Sequence, residues 1–280
     1  MVSDADLAGA IAGQAGQLLL ALRDRGRLQA ATVTADIRSD ELIAGLLRKA
    51  RPEDAILSEE GAGTGDRLRA SRVWIIDPLD GTREYGEAGR DDWAVHVALW
   101  QDGALTAGAV AIPSRAEIWS TSEDAAPIRR PITRIAVSRT RPAPWALAVA
   151  EQLHADVVPM GSAGAKLAAI LRGDVDAYLH GGGQYEWDSA APVAVARHYG
   201  LAATRADGRP LLYNQPDPYL PDLVIAPAEA LPSLLDAIAW HVGPGEDSGA
   251  PGRNLVESGS RSGALQIGAR TPSLNGVGGE

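Results

Sequence analysis

An apolar run, Val73-Trp74-Ile75-Ile76, leads into Asp77-Pro78-Leu79-Asp80-Gly81-Thr82. Three residue steps span at most about 10 to 11 Å of chain, so a turn here brings the carboxylates of Asp77 and Asp80 to metal ions ~3.5 to 4 Å apart. Carboxylates and the intervening Leu79 carbonyl are hard oxygen ligands, a donor set that favours Mg2+ over zinc. Gly81 and Thr82 add backbone N–H groups at what reads as a helix start, where they and the helix dipole attract a phosphate oxygen. The pattern points to metal-assisted phosphoryl chemistry. Asp-Pro-x-Asp-Gly also suits a plain surface turn, and the apolar strand before it weighs against that alternative.

Two further acids stand where the end of an element could deliver them. Glu59 and Glu60 follow Ile56-Leu57-Ser58, and Asp188 follows Trp187 at an expected helix start. Singly, Glu59 reads as a solvated strand-end acid and Asp188 as an ordinary N-cap; their joint occurrence with the Asp77–Asp80 turn points to function. His96, His154, His180, His198 and His241 show no metal-ligand spacing and read as structural or exposed. Gly181-Gly182-Gly183 reads as a turn at a strand end, with a place beside a substrate as the alternative. Trp74, Trp93 and Trp100 read as core. The absence of Cys removes disulfides, thiolate nucleophiles and Cys-based zinc sites together. No P-loop, nucleophile elbow or Asp-x-Asp-x-Thr motif offers a rival chemistry.

Length and charge narrow the partners. A chain of 280 residues can bury a substantial core. A net charge of -10, from 36 acids against 26 bases, repels a nucleic-acid polymer and suits divalent cations. No apolar run approaches the ~18 residues that cross a bilayer, so no membrane partner is expected. Acids at the N-terminus, where a secretory signal carries bases, point to the cytoplasm.

Periodicity then supplies the elements that must hold these residues. A capping-box-like Ser3 and Asp6 open a helix that runs to about Arg23, and Ser39-Asp40 reads as the cap of a second that ends before Pro52. Strands are expected at Ile56–Ser58, Val73–Asp77, Trp93–Trp100, Ala104–Ile112 and Glu117–Ser120, which makes residues 1–130 two helices on a largely antiparallel sheet. After a boundary near Ala125–Pro131, strand Arg134–Ser138 is followed by helix Trp145–Leu153, strand Val157–Met160, helix Ala163–Arg172, strand Asp176–Leu179, helix Asp188–Tyr199, strand Leu223–Ala226 and helix Ala228–Trp240. Residues 131–242 thus read as an α/β half on a mixed sheet. The Gly-rich stretch 243–280 reads as disordered.

These residues resemble the magnesium-dependent, lithium-sensitive phosphatases that include inositol monophosphatase and the 3'-phosphoadenosine 5'-phosphate (PAP) phosphatases. Ser58-Glu59-Glu60, Trp74 to Thr82 and Glu186-Trp187-Asp188-Ser189-Ala190-Ala191 look like that family's three signature blocks, and Thr34-Ala35-Asp36 like its upstream Thr-x-Asp element. The resemblance spans roughly Leu7 to Trp240. Asp80-Gly81-Thr82-Arg83-Glu84-Tyr85, Asp91-Asp92-Trp93-Ala94-Val95-His96 and Gly161-Ser162-Ala163-Gly164-Ala165-Lys166 look like the bacterial CysQ-type branch. Ser138-Arg139-Thr140-Arg141 departs from the Ser-Arg-Ser-His frequent there.

The resemblance implies a layered α-β-α-β-α sandwich that hydrolyses the 3'-phosphate of PAP to AMP and phosphate, recycling a by-product of sulfate assimilation. An inositol 1-phosphate or fructose 1,6-bisphosphate phosphatase is the alternative enzyme, and a silent metal- and phosphate-binding regulator the remote one. It implies that Glu59, Asp77, the Leu79 carbonyl, Asp80 and Asp188 hold two or three Mg2+ ions. Asp36, Glu59 and Thr82 would orient the attacking water, Asp36 accepting the Thr82 proton or, alternatively, only capping the second helix. Asp80, Gly81, Thr82, Ser162 and Asp188 would contact substrate. Lys166 is the first candidate for the second phosphate of PAP, with an exposed helix face as its alternative, and Arg139 is the second. The oligomeric state stays open, a homodimer included.

Overall fold

The computed structural model describes residues 2–25, 28–61 and 65–242; the stretch 243–280, read above as disordered, lies outside the described residues. Helix α1 (Asp4–Arg25) opens on the expected box, with the Ser3 hydroxyl donating to Asp6 at 2.6 Å and accepting from the Asp6 N–H at 3.1 Å. Ala8, Ile11, Ala12, Ala15 and Leu19 recur at helical spacing and are fully buried. Contrary to the expectation from apolar runs, Asp4–Asp24 is long and apolar enough, by length and composition, to cross a membrane. Here that helix packs one stripe against the first sheet.

Helix α2 (Leu28–Ala50) corrects the expected cap at Ser39-Asp40, which lies inside it. Both side chains are taken by tertiary partners instead. The Ser39 hydroxyl donates to the Pro78 carbonyl at 2.8 Å, and Asp40 accepts from the Ser58 hydroxyl at 2.5 Å. With its side chain bonded across the fold, neither residue competes with the helix backbone.

The first sheet has the order β1 (Ala55–Ser58), β2 (Arg72–Asp80), β3 (Ala94–Gln101), β4 (Ala104–Ile112) and β5 (Glu117–Ser120). β1 runs parallel to β2 and the other pairs are antiparallel. The second sheet contains β6 (Arg134–Ser138), β7 (Asp156–Met160), β8 (Ala177–Tyr185), β9 (Leu201–Thr204) and β10 (Tyr219–Pro227) in the order β7-β6-β8-β10-β9. It is mixed, with β7, β6 and β8 parallel and β10 antiparallel to both its neighbours. β9, a short edge strand of Leu-Ala-Ala-Thr, has too few residues to announce itself by alternation.

Five further α-helices lie among the described residues: α3 (Thr82–Gly86), α4 (Pro144–Gln152), α5 (Ala163–Arg172), α6 (Glu186–His198) and α7 (Leu231–Val242). α1 and α2 cover one face of the first sheet, α5 and α6 lie between the sheets, and α4 and α7 cover the far face of the second. That is the layered α-β-α-β-α sandwich. α6 between two sheets is buried from Ser189 through Ala196, so no polar face is available to it and its residues are small and apolar.

Candidate active site

Strand β2 does not stop at Asp77. Asp77 pairs with His96 and Asp80 with Ala94, so three steps on β2 oppose two on β3, a one-residue bulge that accommodates Pro78. The bulge turns both acids inward. Gly81 then caps α3 at φ 86, and a Cβ there would stand 3.3 Å from the Asp92 carbonyl oxygen and from Trp93 Cα, so glycine is required. Asp188 reaches the same point from the first turn of α6. It is the third helical residue and not the N-cap; one oxygen accepts from the Tyr185 N–H at 2.7 Å. One ligand oxygen from each of Asp77, Asp80 and Asp188 lies within 4.8 Å of the others.

The surroundings treat these acids differently. Asp77 is fully buried; Oδ1 accepts from the Leu79 N–H at 3.0 Å, while Oδ2 is buried without a partner. Burial, then the charges of Asp80, Glu59 and Asp188, hold its carboxyl well above the ordinary range. Burial alone would also raise Asp80, but His96, the Ser162 hydroxyl at 2.5 Å and the Gly164 N–H at 2.9 Å together bring it down to about 2. Asp188 is pushed up to about 7 by burial and by Asp80. Glu59, just past β1 and open to solvent, is raised to about 7 by partial burial and then by Asp80 and Glu60. Crowded carboxylates that hold protons, a buried orphan oxygen and an all-oxygen donor set fit a hard divalent cation.

Asp36 is no solvent-facing helix cap: it is buried in mid-α2, with Oδ1 lacking a partner and its carboxyl raised to about 8 by burial and then by Glu59, Glu60 and Asp40. The Thr82 hydroxyl donates to the Leu79 carbonyl at 3.1 Å rather than to Asp36.

Beside the acids opens a cavity of about 220 Å³, lined among others by Asp80, Gly81, Thr82, Asp188, Lys166 and Arg139. Lys166 is not on an exposed helix face. It is 2% exposed, with Nζ donating to the carbonyls of Gly161 and Ser162 and standing 4.8 Å from the Tyr178 ring centre. Burial lowers it to about 8 against the pull of Asp80 and Glu84. Arg139 is held by Glu84 at 2.6 and 2.9 Å and by Glu87 at 2.9 Å, which leaves little of its fork for a ligand. Ser162 donates to Asp80 and accepts from the Ala165 N–H at 2.9 Å as the N-cap of α5. Arg141, exposed on the same wall, makes no side-chain ion pair among the described residues.

Sequence spacing missed His96. It is completely buried, with Nδ1 3.2 Å from the Trp187 carbonyl oxygen and Nε2 3.2 Å from Asp80 Oδ2, off the hydrogen-bonding line. The Asp91–His96 block contained it without giving it a role; its place opposite Asp77 across the β2–β3 ladder, a register unknown before folding, is what puts it beside the acids. The glycines 181–183 lie within β8 and not at its end. Trp74 and Trp93 are fully buried core residues.

Residues 8–240 match the family model described as the inositol monophosphatase family. A 3'-phosphoadenosine 5'-phosphate phosphatase of Mycobacterium leprae is 48% identical over 254 residues, 85% of this chain and 94% of that protein. Its counterpart in Mycobacterium tuberculosis is 49% identical over 238 residues, 80% and 89% of the two chains. The 3'(2'),5'-bisphosphate nucleotidase CysQ of Escherichia coli is 30% identical over 206 residues, 66% and 80%. Among solved structures, the inositol monophosphatase from Anabaena superposes with a TM-score of 0.71 at 22% identity, over 84% of this chain and 95% of that one. That likeness carries the fold alone. With a family match running from α1 to α7 and relatives near half identical, the chain belongs to the inositol monophosphatase family.

Proposed function

We propose that this chain is a Mg2+-dependent phosphatase that removes the 3'-phosphate of PAP to give AMP and phosphate. The observation that carries this reading is one cavity with Asp80 and Asp188 of the carboxylate cluster at one end and the cationic side chains of Arg83, Arg141 and Lys166 along its wall. The relatives named as PAP phosphatases support the substrate. The family resemblance supports inhibition by Li+ and a place in recycling a by-product of sulfate assimilation, and the acids at the N-terminus support a cytoplasmic setting.

Glu59, Asp77, the Leu79 carbonyl, Asp80 and Asp188 would hold Mg2+, which supplies Lewis-acid polarisation of the phosphate and acidifies water. Asp80 is the ionised anchor, since Ser162 and Gly164 occupy only Oδ2 and leave Oδ1 for the cation. The Thr82 proton is committed to the Leu79 carbonyl, so the lone pairs of its hydroxyl are free to accept from a water aligned for in-line attack on phosphorus. Glu59 and Asp36, raised to about 7 and 8 in the metal-free protein, would be lowered by a bound cation, which would leave Glu59 ionised to accept a proton from the attacking water. The N–H groups of Gly81 and Thr82 border the phosphate position. Arg141, rather than the occupied Lys166 and Arg139, meets the second phosphate.

Fructose 1,6-bisphosphate also carries a second phosphate and suits the same wall. PAP, inositol 1-phosphate and fructose 1,6-bisphosphate tested at equal concentration with Mg2+ separate these readings, PAP being turned over fastest and Li+ suppressing the reaction. Full turnover in excess EDTA overturns the metal site, and a higher kcat/KM for either sugar phosphate overturns the substrate.

A further inference from the structure

On the same cavity as Asp80 and Asp188, His180 stands on β8 with its ring edge-on to Tyr178, the centroids 6.1 Å apart. It is 8% exposed. The glycines after it form a bulge: Gly182 and Gly183 have φ of 80° and 75°, and the pairing with β10 slips between Leu220 and Asp222. The bulge folds the Gly182 carbonyl back to 2.8 Å from His180 Nε2. A carbonyl only accepts, so Nε2 carries the proton and Nδ1 of the neutral ring is a bare acceptor. Burial, reinforced by Lys166, keeps the ring neutral down to about 4.

Nδ1 is nevertheless buried without a partner, although buried polar atoms nearly always have one. Gln184 repeats the pattern. It lines the same cavity, is 4% exposed, donates its amide to the Tyr178 hydroxyl at 2.8 Å, and leaves Oε1 buried without a partner. An anion is repelled by these lone pairs and a cation by Lys166, so the pair suits a neutral donor.

We propose that His180 Nδ1, with the neighbouring orphan Oε1 of the cavity residue Gln184, is a specificity-determining acceptor that takes a hydrogen bond from a neutral N–H or O–H donor on the leaving alcohol when the bound substrate closes on it. This rests on the function proposed above, which supplies two such donors: the ribose 2'-hydroxyl and the amino group of adenine. An ester whose alcohol carries no donor at that place leaves the acceptors dry and unpaired, which is how a polar pocket rejects it.

His180→Phe keeps a flat ring and drops the acceptor. Its kcat/KM for PAP is expected to fall about 10- to 100-fold. On the analogue lacking the partner group, either 2'-deoxy PAP or the hypoxanthine analogue with an oxo group in place of the amino group, wild type and variant should agree within about 2-fold, which identifies the donor. Equal losses on PAP and both analogues overturn the proposal. The unaltered protein gives a second reading that folding of the variant does not touch: in 15N-histidine-labelled enzyme, added AMP should shift the His180 Nδ1 resonance toward its hydrogen-bonded position. An unmoved resonance at saturating AMP overturns the proposal as well. If the wild type prefers a sugar phosphate, the function reading falls by itself, and the same resonance is read against that ester's alcohol product with the same two outcomes.

Discussion

Asp77 and Asp80 carry identical side chains on one strand, yet their surroundings drive them in opposite directions. Asp77 has a single backbone N–H and the charges of its neighbours, so its carboxyl keeps a proton well above the ordinary range. In the metal-free protein this group favours folding below the usual carboxylate range and loses that contribution as pH rises. Asp80, held near 2, favours folding above its ordinary 3.8 and loses that contribution only in acid. Asn at either position should abolish Mg2+-dependent turnover. In excess EDTA at pH 8, however, Asp77→Asn should raise Tm, while Asp80→Asn should lower stability by about 2 kcal/mol through its lost charge-assisted bonds. Equal falls in both variants would remove the electrostatic distinction. On the cavity wall, Arg141→Ala should cost PAP turnover about 1.5 to 3 kcal/mol in kcat/KM and leave inositol 1-phosphate nearly unchanged. Equal losses on both esters would return the second phosphate to Lys166 or Arg139.

Four elements must dock before the acids meet: α2 brings Asp36, the end of β1 brings Glu59, β2 brings Asp77 and Asp80, and α6 brings Asp188. Their assembly is opposed by the charge it concentrates. Asp36 near 8, with Glu59 and Asp188 near 7, binds more protons folded than unfolded between pH 4 and 8. Stability of the metal-free protein should therefore fall as pH rises from about 5 to 8, and Mg2+ should flatten the curve by stabilising most where the acids are ionised. Tm against pH with and without EDTA measures this, and parallel curves would refute it. Lys166, near 8, begins to lose its proton at the upper edge of this window. The element ends legible in sequence were those set locally, such as the Ser3 box and the start of α5 at Ala163, which the structure shows capped by Ser162. The start of α2 was not, because Ser39 and Asp40 are cap residues whose hydrogen bonds go to Pro78 and Ser58 in other elements.

Across the whole molecule, the helix layer between the sheets couples the site to distant packing. A Cβ on Gly108 of β4 would stand 2.6 Å from Ala194 Cβ on α6, the helix that carries Asp188 at its start. Gly108→Val should push α6 off the first sheet, at a cost of about 1 to 3 kcal/mol from overpacking, and should weaken Mg2+ affinity although the substitution touches no ligand. Calorimetric Tm together with Mg2+ titration checks both, and an unchanged Mg2+ affinity in a destabilised variant would show the acids to be placed independently of that layer.

By itself the sequence determined the chemistry available: hard oxygen donors, no thiols, a strand ending in Asp-Pro-Leu-Asp-Gly-Thr, and most element positions, because composition and period are local properties of the chain. Only the tertiary structure decided which groups are free to act. Lys166 and Arg139 read as open cations until the fold gives the first to loop carbonyls and the second to Glu84 and Glu87. His96 and His180 read as bystanders until strand register places one against Asp80 and a glycine bulge fixes the ring of the other. Proton affinity and hydrogen-bond vacancy depend on what surrounds a side chain in three dimensions, and residues far apart in the chain supply those surroundings.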